Sequence, residues 1–180
     1  MKEAGYGPDK PLKAKIMIST SGSGQMLPLP MNEYLQQNLK ECNFDISFEV
    51  VDWGTMLVAI RNPPTAPQTL GADAINISLA HATEFSRFTT WFLSSTFPPN
   101  GVNWANWKNP EFDALVDRIE KSSDPEEIAS DIRKAHEVIV DDAPWLFIGH
   151  MKQQAALRKR VQGFVQQPTY IYYFNNVSLA

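Results

Sequence analysis

Between residues 13 and 51 the apolar positions recur every second residue, then at helical spacing, then every second residue again. Residues 13–19 therefore predict a strand with Ile16 and Ile18 on one face. A Gly/Ser loop over 20–24 runs on to the Pro28 and Pro30 pair. The spacing over 31–43 predicts an amphipathic helix with Met31, Leu35, Leu39 and Cys42 in line. Residues 45–51 then alternate: Ile46, Phe48 and Val50 point one way, Ser47 and Glu49 the other. Asp52 is placed to cap a short helix over 53–61, with Trp53, Met56, Leu57 and Ile60 as its apolar members. Three prolines make 62–68 a loop.

The second half predicts a strand over 74–79 and an aromatic-rich helix over 84–95, followed by a turn at Pro98-Pro99-Asn100-Gly101. Asn109 caps and Pro110 opens a helix carrying Phe112, Leu115, Val116 and Ile119. Asp124-Pro125-Glu126-Glu127 is a capping-box pattern for a second helix with Ile128, Ile132, Ala135 and Ile139 inward, ended by Pro144. Residues 145–150 and 153–157 read as strands, and 161–180 as an extended tail. Strand–helix–strand order implies an α/β layer, a mixed sheet flanked by helices. No internal repeat interrupts it.

Composition narrows the function classes. The chain has 180 residues, 43% of them hydrophobic, which suffices for one substantial core. Its 11% aromatic content and 13 prolines suit a folded, loop-rich protein. Net charge is −4 with both signs interspersed. The one basic cluster, Arg158-Lys159-Arg160, is too short for a nucleic-acid surface, so no nucleic-acid partner is expected. No apolar run approaches the ~18 residues that cross a bilayer. Cys42 stands alone, which excludes an internal disulfide framework and a cysteine zinc site; it reads as a small buried hydrophobe. Residues 1–6 have no apolar signal-type region, so any export signal would lie upstream.

Candidate chemistry is sparse. Ser19, Ser21 and Ser23 lie outside any G-x-S-x-G elbow, and Ser21-Gly22-Ser23-Gly24 lacks the lysine of a phosphate loop. His81 and Glu84 stand three apart near a loop–helix junction, but two ligands from one segment do not make a metal site. His136 reads as a solvated or half-buried helix residue, and His150 as the end of a strand. Asp141 and Asp142 read as a solvated helix end. No metal or cofactor is implied. Trp53, Trp91, Trp104 and Trp107 gather around loops and helix starts, with Asn103 and Asn106 interleaved. Indole planes beside amides suit a pocket for a polar ligand with apolar faces; ordinary core packing suits them equally.

Several short motifs occur here in one order: Glu3-Ala4-Gly5-Tyr6, Asp52-Trp53, Asn109-Pro110-Glu111-Phe112-Asp113, Asp124-Pro125-Glu126-Glu127, Asp142-Ala143-Pro144, and Arg158-Lys159-Arg160-Val161 with Gly163-Phe164-Val165. Together they span nearly the whole chain and resemble the C-terminal part of the peptide/oligopeptide/nickel family of extracellular solute-binding proteins (family 5). The resemblance implies a periplasmic-binding-protein-like second lobe of type II, taken from a longer protein of two hinged lobes. Residues 1–157 would form that lobe, beginning mid-domain, and 158–180 would return to the first lobe. It further implies non-catalytic capture of a small polar solute or short peptide for an ABC permease, in a periplasmic or extracellular protein, lipid-anchored where the host has no outer membrane. A homodimer through uncovered surface is a further expectation.

On this resemblance the ligand-binding candidates are Trp53, Ala80, His81, Glu84, Trp104 and Asn106. Ser78-Leu79-Ala80-His81 matches the family's W-x-A-D segment, whose acid holds a peptide α-ammonium. Here Ser78 replaces the aromatic and His81 the acid; a carboxylate partner would contribute about 1.5–3 kcal/mol that neutral imidazole does not supply. Glu84 is a possible substitute, and a sugar derivative, an opine-like compound or a metal chelate are equally open as ligands. Two other classes stand beside this one. A hydrolase or amidase would use His81 and Glu84, and an interaction module would bury Trp53 and Trp104 completely.

Overall fold

Alternation near the start of the chain becomes a parallel sheet. The computed structural model describes residues 1–21, 27–79, 81, 83–149, 154–167 and 172–180. The first strand, β1 (Leu12–Ser19), pairs in parallel with β2 (Phe44–Val51), Leu12 opposite Phe44 and Ser19 opposite Val51. On its other side β1 pairs in parallel with β3 (Ala74–Asn76), so the order is β2-β1-β3. A parallel pair needs a crossover, and helices supply both: α1 (Pro28–Glu41) between β1 and β2, α2 (Trp53–Ala59) between β2 and β3. The antiparallel pair, β4 (Val161–Gln162) with β5 (Ser178–Leu179), is a separate ribbon. The two strand directions expected of one sheet are thus divided between the sheet and the ribbon.

The two faces of β1 serve different layers. Ile18 and its register partner Asn76 face α1, where Asn76 Nδ2 donates to Asn32 Oδ1 at 2.6 Å. Asn32 Nδ2 in turn donates to the Pro28 carbonyl at 2.7 Å, which makes a buried asparagine the fastener of this layer. Gln36 of α1 donates to the Ile46 carbonyl at 2.6 Å. Met17, on the opposite face, enters the main core with Met56 and Ala59 of α2, Phe88 and Trp91 of α3 (Glu84–Trp91), Phe112 and Val116 of α4 (Pro110–Lys121), and Ala135 and Ile139 of α5 (Pro125–Asp142).

The last two helices are tied by charge as well as by apolar contact. Arg118 Nε and Nη2 donate to Asp131 Oδ2 and Oδ1 at 2.8 and 3.2 Å, and Lys134 Nζ adds a contact at 3.3 Å. These bonds hold the Asp131 carboxyl below its ordinary pKa, with the Arg118 bond the largest cause.

Local differences from the sequence expectation have identifiable causes. α1 starts three residues early because Pro28 and Pro30 occupy its first turn, where the missing N–H groups would have no helical partner. Cys42 is exposed, not buried: it follows the last turn, and Asn43 turns the chain away with a φ of 62°. Asp124 caps α5 by accepting from Glu126 N at 2.9 Å, but the reciprocal half of the box runs through Ser122. Asp124 N donates to Ser122 Oγ at 3.1 Å, and that hydroxyl donates to Glu127 Oε2 at 2.5 Å. Residues 145–149 and 154–157 are irregular rather than strands, because α5 ends on a left-handed Ala143 and Trp145 is drawn under the aromatic core instead of along a sheet edge. His150 and Gln153 lie outside the described residues.

Candidate functional site

Open parallel sheets bind ligands where loops leave the carboxyl ends of neighbouring strands toward opposite faces. Here β1 sends the chain to α1 on one face, while its neighbours β2 and β3 lead to α2 and α3 against the other. The connections that leave β2 and β3 lead to two of the candidate residues, Trp53 at the start of α2 and His81.

Trp53 is the first residue of α2, directly after the strand. It is held there because Asp52 caps the helix: Oδ1 accepts from Thr55 N at 3.1 Å and Oδ2 from Thr55 Oγ1 at 2.6 Å. The hydroxyl bond is the main reason the Asp52 carboxyl sits below its ordinary pKa. Trp53 packs on the core and is half-buried.

His81 follows β3 and is also half-buried. Its Nε2 accepts a hydrogen bond from Trp91 Nε1 at 2.8 Å, the rings meeting edge to face. Burial, and secondarily the Arg87 charge, lower its pKa. Trp91 is only 6% exposed and packs edge-on to Trp145, which also lies against Phe92 and Phe147. The Trp91 hydrogen bond to His81 gives no signal in helical periodicity, since the partners sit in a loop and on the last turn of a helix. Glu84 is exposed at the start of α3, capped by Thr83, and makes no hydrogen bond or ion pair with His81 among the described residues. Its charge acts on His136 instead, whose ring rests on Phe88 and whose pKa is lowered chiefly by burial. Ala80 lies outside the described residues.

Residues 103–107 form the third part. Asn103, 1% exposed, is the clamp: Nδ2 donates to the carbonyls of Phe92, Leu93 and Trp107 at 3.2, 3.1 and 2.8 Å. Trp104 is half-buried with its Nε1 enclosed and without a hydrogen-bond partner among the described residues. Asn106 is exposed at a left-handed turn, φ 52°, and its backbone N–H donates to the Asn103 carbonyl. Trp107 belongs to the core: its ring lies against Phe92 and Phe112, and Nε1 donates to Asp142 Oδ2 at 3.0 Å. Asp142 also accepts from the Asn109 side chain at 2.8 Å, so this acid fastens the 103–109 segment to the end of α5 rather than standing free.

Sequence thus grouped four tryptophans that the fold sorts into two kinds. Trp91 and Trp107 have their N–H groups satisfied by His81 and Asp142, and only Trp91 of the four is buried; Trp53, Trp104 and Trp107 are half-buried, Trp53 and Trp107 against the core. The complete burial expected of a pure interaction module is absent. No group of three or more His, Cys, Asp or Glu side chains suited to a metal ion occurs among the described residues.

No family model matches the chain. It is 24% identical over 180 residues to di/tripeptide-binding protein 2 of Pseudomonas aeruginosa, covering 99% of this chain and 32% of that protein. Di/tripeptide-binding protein 4 of the same organism is 26% identical over 170 residues, 93% of this chain and 30% of the relative. Among solved structures, HbpA2 from Haemophilus parasuis superposes with a TM-score of 0.72 at 19% identity, covering 99% of this chain and 34% of that one. AppA from Bacillus subtilis, in complex with a nonapeptide, gives 0.71 at 20% identity, with coverages of 94% and 32%. At these identities the structures establish the fold. The chain spans about a third of the length of its relatives. Along nearly its whole length the chain is similar in sequence to di/tripeptide-binding proteins, and it shares the fold of the family 5 extracellular solute-binding proteins found among its structural neighbours.

Proposed function

We propose that the chain is the second, ligand-gripping lobe of a binding protein that captures a small polar solute, peptide-like or other, and passes it unchanged to an ABC-type importer. The observation that carries this is the placement of Trp53 and His81 after the carboxyl ends of β2 and β3, one a half-buried indole and the other a half-buried polar ring. Trp53, Ala80, His81, Glu84, Trp104 and Asn106 are the residues assigned to the ligand. The relatives are substrate-binding proteins, and the Trp91 bond to His81 Nε2 leaves that atom engaged where a hydrolase would need a free base.

Residues 158–180 are assigned to contact with a first lobe. Support comes from the tail's apolar exposure: Val165, Tyr173, Phe174 and Leu179 are each more than 60% exposed, an arrangement that a covering partner would relieve. Self-association of the chain through the same surface is the alternative, which light scattering across a concentration series separates. Work outside the cytoplasmic membrane is proposed from the relatives; no helix among the described residues is long and apolar enough to cross a membrane.

One lobe supplies only part of a clamp. Calorimetry of this chain with di- and tripeptides is expected to show weak binding that Trp53→Ala abolishes. Sub-micromolar affinity of the chain alone, or binding untouched by Trp53→Ala, would overturn the assignment.

A further inference from the structure

An indole N–H donates and never accepts, so the imidazole nitrogen that meets it must carry a lone pair. At His81 that nitrogen is Nε2, 2.8 Å from Trp91 Nε1. The ring proton of neutral His81 therefore resides on Nδ1. The donor cannot turn away to release Nε2, because Trp91 is 6% exposed and its ring is wedged against Trp145 at 5.7 Å between centroids. Nδ1 has no hydrogen-bond partner among the described residues, while the ring as a whole remains half-open to solvent at the strand edge.

The charge acting on this ring is positive. Arg87, one helical turn before Trp91, opposes protonation of His81, and burial acts in the same direction. Glu84 exerts its influence on His136 instead. A neutral N–H in a cationic setting favours an oxygen lone pair, most of all a carboxylate, since a charge-assisted bond is stronger than a neutral one. An ammonium group would face a donor that cannot accept from it.

We propose that His81 is a specificity-determining donor, its Nδ1–H receiving a carboxylate or carbonyl oxygen of the ligand and excluding an ammonium group from that position. Trp91 is its positioning residue, acting through the tautomer. The assignment rests on the capture function proposed above and adds to it the ligand chemistry at one contact.

The test uses the chain itself with two probes at millimolar concentration: an N-acetyl dipeptide, which has a carboxylate and no ammonium, and a dipeptide amide, which has the reverse. Long-range proton–nitrogen NMR reads the His81 tautomer and the shifts of His81 and of the Trp53 indole. Expected are a proton on Nδ1 and roughly tenfold tighter binding of the N-acetyl dipeptide, equivalent to about 1.4 kcal/mol. His81→Asp should reverse the order while Trp53 still responds. Trp91→Phe should let both tautomers exchange and erode the preference, an effect read without relying on the first variant's fold. A proton on Nε2, or a dipeptide amide that binds as tightly with Trp53 responding, overturns the assignment of His81 and leaves capture standing. Silence of both Trp53 and His81 toward both probes overturns the two together.

Discussion

Removing the Asn103 amide should unfasten the loop that carries Trp104 and Asn106. Its Nδ2 has two protons and meets three backbone carbonyls, those of Phe92, Leu93 and Trp107, at 3.2, 3.1 and 2.8 Å. Only an NH2 group suits three converging acceptors, which settles the amide's orientation. Each bond contributes about 1 kcal/mol net, and each carbonyl stranded away from water costs about 1–3 kcal/mol. With Asn103 only 1% exposed, water cannot replace the lost donor without opening the loop. Asn103→Ala is therefore expected to cost about 2–4 kcal/mol. Asn103→Asp keeps the shape but turns a lone pair toward three oxygens, so at neutral pH it should cost more than alanine. Its carboxyl can donate only when protonated, so that variant should recover part of the deficit as pH falls. Urea unfolding followed by tryptophan fluorescence gives the comparison, with the slope m checked for constancy. An alanine variant within about 0.5 kcal/mol of the parent, or an aspartate variant as stable as the parent at neutral pH, would refute the clamp.

Two further outcomes follow from the aromatic core and its histidines. Phe112 is fully buried with its ring against Phe88, Phe92 and Trp107, so Phe112→Ala should cost about 3–5 kcal/mol, measured by the same unfolding assay; a loss below about 1 kcal/mol would mean the rings repack. His81 and His136 have pKa values lowered chiefly by burial, so stability is complete above the unfolded histidine value near pH 6.5 and falls as acid protonates the unfolded chain first. Urea midpoints that stay level from pH 7.5 to about 5.5 would contradict this.

Much of the fold was legible because local rules govern it. Asp52, Asn109 and Asp124 each accept from backbone N–H groups of the first turn they precede, as their residue types and positions predict. The alternation at Ile46, Phe48 and Val50 named the faces of β2, yet Val50 is exposed at the end of what is an edge strand. Strand order is nonlocal, and periodicity carries no information about it. Buried polar fasteners were illegible for a related reason: Asn32, Asn103 and Asp131 look like solvated positions until partners from distant segments close over them.

The candidate site divides along the same line. Residue type alone made Trp53, His81 and Trp104 candidates, since indole and imidazole rings combine an apolar plane with a polar edge. What each ring does was decided in three dimensions. The same indole packs against Phe112 and donates to Asp142 at Trp107, donates to His81 from a buried position at Trp91 and lies half-buried against the core at Trp53, according to which neighbours arrive from elsewhere in the chain. Sequence determined the helices, their caps and the strand faces, because those depend on spacing within one turn or one strand. Tertiary structure decided the parallel order of the sheet and the side chains removed from water, because burial and hydrogen-bond satisfaction are set by residues far apart in the chain.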